Sequence, residues 1–178
     1  MNKPNTYCNY VRNLPENDIN RLYHDNEYGY KIDSDNELFG RLILEINQAG
    51  LSWTTILKKK ETFKTAYSNY CIDKIALYSE KDINRLLSNK GIIRNKLKIN
   101  AVIYNANKVL ELKKKYGSFK LWLDKNTYRT KQQWITLFKE NFKFTGKEIT
   151  NEFLMSTGYL KGAHHPSCPV FKLTQKHV

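Results

Sequence analysis

Acid is scarce in this chain. Thirty lysines and arginines face 17 aspartates and glutamates, a formal net charge of +13 over 178 residues. The imbalance points to an anionic polymer as partner, although an AT-rich genome, which enriches Lys, Asn, Ile and Tyr, produces the same excess without one. No apolar run is long enough to cross a bilayer, which takes about 20 residues as a helix. The opening Met1-Asn2-Lys3-Pro4-Asn5 lacks the shape of a signal peptide. A soluble, cytoplasmic protein with no membrane contact is therefore expected. Cysteine is limited to Cys8, Cys71 and Cys168. Three thiols cannot all pair internally, so in a reducing cytosol they read as free thiols or metal ligands, not as a disulfide framework. Cys71 precedes Ile72 and Ile75 and reads as a core thiol. Alternating strand patterns, internal repeats and low-complexity linkers are all missing. What remains is one all-α domain spanning 1–178, able to bury roughly 70% of its unfolded surface.

Helix signals fill the chain instead. Hydroxyl residues followed three positions later by an acid or amide mark capping boxes at Ser34/Glu37, Ser79/Asp82, Thr130/Gln133 and Thr145/Glu148. Between them, apolar spacing predicts helices over 37–49 and about 52–68, a short one at Ile83, Leu86 and Leu87, and a long one from Ile99 to Leu112. Further helices are expected around Phe119–Trp122, Trp134–Phe138 and, last, Ile149–Met155. Lys58-Lys59-Lys60 and Lys113-Lys114-Lys115 read as solvated helix faces.

One residue breaks the pattern. Glu45 lies at the edge of the apolar stripe that Leu38, Leu42 and Ala49 draw on the 37–49 helix. An ionised carboxylate buried there costs several kcal/mol unless it is paired. Exposure at the stripe's edge, or pairing with a nearby arginine, is the plain alternative. A turn, Gln48-Ala49-Gly50-Leu51-Ser52-Trp53, follows directly.

Two other segments carry chemistry. Leu86 to Arg94 joins two helices through Gly91, with Lys90, Ile92, Arg94, Lys96 and Lys98 around the turn. A glycine lets the backbone come close to a ligand, and the free amides of the next helix face a phosphate. An ordinary helix–turn–helix connection with a C-cap glycine has the same pattern. At the chain ends, Cys8, His24, His164 and Cys168 offer two sulfur and two nitrogen ligands, the donor set of a common structural zinc site. A capping role for His24 and a polar tail at His164 are the alternatives.

The cluster Tyr23-His24-Asp25-Asn26-Glu27-Tyr28-Gly29, the block Glu45-x-x-Gln48-Ala49-Gly50-Leu51-Ser52-Trp53 and the terminal His164-x-x-x-Cys168 occur in the order of the type I 3-methyladenine-DNA glycosylases, which the chain resembles from about Cys8 to Cys168. The resemblance implies an all-α, single-domain fold with a helix–hairpin–helix at Gly91 and a Zn2+ clamp through Cys8, His24, His164 and Cys168 that joins the N- and C-terminal segments. The interval before His164 is one residue longer than the family pattern, so His165 competes as ligand, although only His164 keeps the three-residue gap to Cys168. Glu45 is implied as the catalytic carboxylate, and Tyr23 and Trp53 as faces for the flipped base. Tyr28 and Tyr10 stand where the family more often has tryptophan, and are weaker candidates for the same role. Gly50 and Leu51 are implied to enter the duplex, with a buried core leucine as the alternative for Leu51. Lys90, Gly91, Ile92, Arg94 and Lys96 are implied to hold DNA.

The implied activity is monofunctional excision: 3-methyladenine leaves alkylated double-stranded DNA as the free base, and an abasic site remains. A monomer is expected. Many hairpin glycosylases place a water-activating aspartate after the hairpin, but no carboxylate occurs from Leu112 to Leu123, and Asp124 has no motif around it. Two other readings compete, a zinc-stapled module that binds damaged DNA without cleaving it, and a structural domain whose charge reflects genome composition.

Overall fold

A computed structural model describes residues 6–175 of the chain. The Met1–Asn5 segment, on which the expectation about a signal peptide rests, lies outside the described residues. The helices are α1 (Tyr7–Arg12), α2 (Ile19–Asn26), α3 (Asp35–Gln48), α4 (Trp53–Lys58), α5 (Lys60–Ala66), α6 (Ile72–Ala76), α7 (Glu80–Ser88), α8 (Lys96–Tyr116), α9 (Phe119–Asp124), α10 (Lys131–Asn141), α11 (Lys147–Ser156) and α12 (Phe171–Gln175). Among the described residues there is no strand. The chain divides into two compact units, one of residues 1–31 with 154–178 and one of residues 32–153.

In the larger unit α8 is the central rod, packing against α3, α6, α7 and α9. Its inner face, Ile99, Val102, Ala106 and Val109, is fully buried, as are Leu38, Phe39, Leu42, Ile43 and Ile46 of α3. Aromatic rings close the other side: Phe119 stacks on Trp122 at 5.9 Å, and Phe138 packs on Phe142 at 5.3 Å and on Phe153 at 5.5 Å. Burying each such ring contributes about 1.5–3 kcal/mol. The start of α3 is also an anchor. Asp35 accepts the amides of Phe119 and Lys120 at 3.0 and 2.9 Å, so one carboxylate caps the N-terminus of α9 from another helix.

Midway along α3, Gly40 forms a notch. A Cβ there would lie 2.2 Å from Tyr70. Tyr70 reaches the notch from a left-handed turn: Ser68, Asn69 and Tyr70 have φ of 53, 55 and 58°. That conformation costs roughly 1–2 kcal/mol per non-glycine residue. Tertiary contacts hold it, between Ser68 Oγ and Tyr78 Oη at 2.7 Å and from the Ile72 amide to Asn36 Oδ1 on α3 at 3.2 Å. The helix expected over 52–68 is therefore two, α4 and α5, broken at Lys59 and ended by this turn. Cys71, read as a core thiol, is only half-buried ahead of α6.

Capping boxes form at Ser79/Asp82 and Thr130/Gln133, and Ser34 accepts the Glu37 amide. Thr145 does not cap. Its hydroxyl turns back to donate to the carbonyls of Phe138 and Phe142 at 3.1 and 3.0 Å. The last helix is α12, beyond the 149–155 segment expected to be last.

The smaller unit joins α1 and α2 through Tyr7, whose hydroxyl donates to the Asn20 carbonyl at 3.0 Å. Asp18 caps α2 through the Asn20 amide at 2.8 Å. At the end of α2, the Glu27 and Tyr28 amides both bond to the Tyr23 carbonyl, and Gly29 follows with φ +82°. Only glycine fits there, because a Cβ would stand 2.9 Å from Ala163 and 3.2 Å from His164.

Candidate functional site

The two ends of the chain meet at four side chains. Cys8 from α1, His24 from α2, and His164 and Cys168 from the C-terminal loop are all buried, with ligand atoms within 4.8 Å of one another. His24 Nε2 lies 3.3 Å from Cys8 Sγ, 3.1 Å from His164 Nδ1 and 3.7 Å from Cys168 Sγ. His164 Nδ1 lies 3.8 and 3.9 Å from the two sulfurs. Zinc bonds of about 2.3 Å to sulfur and 2.0–2.1 Å to nitrogen, arranged tetrahedrally, put ligand atoms about 3.3–3.8 Å apart. The donor set and its spacing fit that ion.

The outer nitrogens are also committed. His24 Nδ1 meets Asp25 Oδ1 at 2.7 Å, and His164 Nε2 meets the Tyr28 carbonyl at 2.7 Å. A carbonyl only accepts, so His164 carries its proton on Nε2 and turns the Nδ1 lone pair to the cluster. Burial pushes His164 down from its ordinary pKa, which favours that neutral ring, and pushes the Cys8 thiol up. Of the two neighbouring histidines, His164 is the one in the cluster. His165 is exposed and bonds Ser167, and only its amide reaches Cys8 Sγ, at 3.4 Å. Asp25 and the Tyr28 carbonyl, which orient the two histidine rings, escaped the sequence reading; Asp25 stands directly after His24, while a backbone acceptor leaves no trace in sequence.

Rings gather around the cluster. Tyr28 makes edge contacts with Tyr7 at 5.5 Å and His164 at 5.6 Å, and a tilted contact with Tyr23 at 5.8 Å. Tyr23 and Tyr28 are buried, whereas Tyr10 is 47% exposed and stacks on Tyr7 at 6.2 Å.

In the larger unit, Glu45 lies in the last turns of α3 and is only 4% exposed. Exposure at the edge of the stripe is thus excluded. Arg41, one helical turn earlier, is also buried. The chain leaves α3 through Ala49 and Gly50, whose φ of +83° suits glycine and whose surroundings are open. The Leu51 amide bonds back to the Gln48 carbonyl at 2.7 Å, and Gln48 Nε2 donates to the Leu51 carbonyl at 2.9 Å. Leu51 itself is 39% exposed, which removes the core-leucine alternative. Ser52 then caps α4 through the Thr55 amide, and Trp53 opens that helix half-buried.

Residues 89–95 connect α7 to α8. Gly91 lies outside the left-handed region, so backbone freedom is not its reason. A Cβ would stand 2.2 Å from Thr62 Cγ2, so close packing requires the glycine. Its amide is taken by Asn89 Oδ1 at 2.8 Å. Ile92 is buried and pins the connection, while Lys90 and Arg94 are exposed. Lys59 Nζ holds the Lys90 carbonyl at 2.9 Å, and Lys96 pairs with Glu80 at 3.1 Å. Lys98, expected among the charges around the turn, is buried instead. Its ammonium donates to the Asn47 and Ala49 carbonyls at the end of α3, at 3.0 and 2.8 Å, and burial holds its pKa below the usual lysine value. Asp124 pairs with Lys120 at 2.8 Å on α9.

Comparisons with known proteins agree on a family. The model of the methyladenine glycosylase family matches residues 14–136. DNA-3-methyladenine glycosylase 1 of Escherichia coli (strain K12) is 34% identical over 155 residues, covering 76% of this chain and 83% of its own. Among solved structures, 3-methyladenine DNA glycosylase I from Staphylococcus aureus, described for its recognition of 3-methyladenine, superposes with a TM-score of 0.79 at 30% identity, over 88% of this chain and 93% of its own. A single-substitution variant of a 3-methyladenine DNA glycosylase I in complex with 3-methyladenine superposes with a TM-score of 0.81 at 29% identity, over 92% of this chain and 96% of its own.

Proposed function

The chain belongs to the methyladenine glycosylase family, and we propose that the buried Glu45 is the group on which its catalysis turns. The protein is a monofunctional DNA-3-methyladenine glycosylase, a hydrolase of N-glycosyl bonds that serves base-excision repair. Its relatives are enzymes, and this decides against the non-catalytic binding module.

A purine methylated at N3 carries positive charge while still attached to the sugar. The charge makes the base a good leaving group, since breaking the N-glycosyl bond returns the electron pair to a ring that becomes neutral. Water supplies the oxygen that replaces the base at C1′ and loses a proton, leaving an abasic site. Little acid–base chemistry is needed. Selective binding of the cationic base in its extruded state is the main task. A carboxylate withdrawn from water is complementary to that cation, and aromatic faces add a cation–π attraction of up to about 2 kcal/mol when desolvated. Glu45, only 4% exposed on α3, is the observation that carries this reading. Trp53, Tyr23 and Tyr28 are the proposed aromatic faces, with Tyr10 in a peripheral role that matches its exposure.

The α7–α8 connection is proposed as a helix–hairpin–helix that grips the DNA backbone. Support comes from exposed Lys90 and Arg94, and from the start of α8, where the helix dipole favours phosphate. Gly91 and Ile92 shape and pin that connection, and Lys96 adds charge at its edge. The exposed Gly50–Leu51 turn is the proposed wedge into the duplex. Cys8, His24, His164 and Cys168 are proposed to hold zinc. When bound, the ion fastens the chain ends; four protein ligands fill its sphere and leave it no place in the chemistry. A cytoplasmic monomer completes the proposal, in keeping with the finding that no helix among the described residues is long and apolar enough to cross a membrane.

Chromatography of the bases released from methylated duplex DNA tests the activity. Release of free 3-methyladenine, with little 7-methylguanine, is expected; a preparation that releases neither contradicts it.

A further inference from the structure

Lys98 sits in the first turn of α8, where a lysine ordinarily finds water, yet it is buried. Its ammonium donates to the carbonyls of Asn47 and Ala49. Carbonyls at the end of a helix lack internal donors and carry the negative end of the macrodipole. One cation here supplies two missing hydrogen bonds and the matching charge. Directly beyond those carbonyls lies the Gly50–Leu51 turn, closed by the Leu51 amide on the Gln48 carbonyl.

The backbone of the same residue is fixed from the other side. Asn95, the last residue of the α7–α8 connection, caps α8 by accepting the Lys98 amide at 3.1 Å. The connection thus holds Lys98 by its main chain, and Lys98 holds the turn by its side chain. Turn and connection are far apart in sequence, and a single lysine stem joins them in space.

We propose that Lys98 is a positioning residue that couples the hairpin's hold on the DNA backbone to the placement of the Gly50–Leu51 turn, touching neither DNA nor base itself. The proposal rests on the reading of hairpin and turn as DNA-contacting elements given above. Removing the ammonium leaves two helix-end carbonyls without their donor and frees the turn to shift relative to the hairpin. A misplacement of about 1 Å away from the chemistry costs on the order of 100-fold in rate.

Lys98→Met keeps most of the stem and removes the charge, and Lys98→Arg restores a cation. Hydrogen exchange at the Leu51 amide is measured in the full chain, alone and with a duplex carrying an abasic-site analogue. Single-turnover excision from methylated duplex and affinity for free 3-methyladenine are measured alongside. In wild type the duplex slows Leu51 exchange. In Lys98→Met that exchange is faster by about 10-fold or more, the duplex no longer slows it, and amides of the middle of α3 keep their protection. Duplex excision falls by roughly 30- to 100-fold, free base still binds within about twofold, and Lys98→Arg recovers most of the rate. Leu51 protection by the duplex that is equal in wild type and Lys98→Met overturns the coupling. So does a parallel loss of excision and free-base affinity, which would place Lys98 in base recognition. A wild-type enzyme that releases no 3-methyladenine refutes the proposed activity instead, and the exchange comparison still decides the coupling.

Discussion

His24 Nε2 and His164 Nδ1 stand 3.1 Å apart, brought together across 140 positions of the chain. Two ring nitrogens at that distance need a shared proton or a shared cation. The proton of His164 is engaged on its far side by the Tyr28 carbonyl, and two cysteine sulfurs complete the enclosure. A tetrahedral cation resolves all four lone-pair contacts at once.

Metal analysis of unchelated protein is therefore expected to return one zinc per chain. His164→Ala should abolish it, and His165→Ala should leave it unchanged. Chelation is expected to cost several kcal/mol of stability. Hydrogen exchange should locate that loss in 6–31 and 154–175, while α3 and α8 stay protected.

Gly91→Ala tests the packing reading of the α7–α8 connection. The added methyl meets Thr62 Cγ2, so a loss of about 1–3 kcal/mol is expected in denaturant melts. Combining it with Thr62→Ser, which removes Cγ2, should recover part of the loss. If glycine were needed for backbone freedom, the second change would recover nothing.

Gly40→Ala tests the notch on α3, the helix that carries Glu45. Its methyl would drive Tyr70 from α3, at a similar cost of about 1–3 kcal/mol. Excision by the folded fraction should also fall, because the helix that carries Glu45 must shift. Full stability in this variant would show that Tyr70 moves away freely.

Phosphate contacts release counterions, so DNA affinity should fall steeply with salt. Arg94→Ala and Lys90→Ala are each expected to reduce the slope of log K against log salt by about 1. Both side chains are exposed and bear no internal ion pair among the described residues. Salt titrations of duplex binding read the slopes directly; slopes that match wild type would remove these residues from the interface.

Much of this was legible in the sequence, for identifiable reasons. Ser34, Ser79 and Thr130 cap helices as their spacing predicts, since a cap is local chemistry. Thr145 has the same spacing, but its hydroxyl is consumed by carbonyls at the end of α10, which local pattern cannot show. Apolar periodicity found α3 and α8, yet it ran through Lys59 and missed the left-handed turn at 68–70, where non-glycine residues hold a conformation that tertiary contacts enforce. The four side chains that cluster at the chain ends were readable from residue type. His164 was favoured over His165 by its three-residue gap to Cys168, and the bond to the Tyr28 carbonyl that orients it has no trace in sequence. Lys98 was the main surprise: charge near a hairpin reads as solvent-facing, and nothing in sequence announces two helix-end carbonyls waiting for it.

The account stands on Glu45 as the acid that meets a cationic base. The most direct measurement is the single-turnover rate of 3-methyladenine release from methylated duplex by Glu45→Gln, beside the wild type and with stability and zinc content checked in both. The amide keeps the size and loses the charge, and a loss of about 100-fold or more, equivalent to roughly 2.7 kcal/mol, is expected with folding intact. A folded, zinc-loaded Glu45→Gln protein that releases the base as fast as wild type would contradict it.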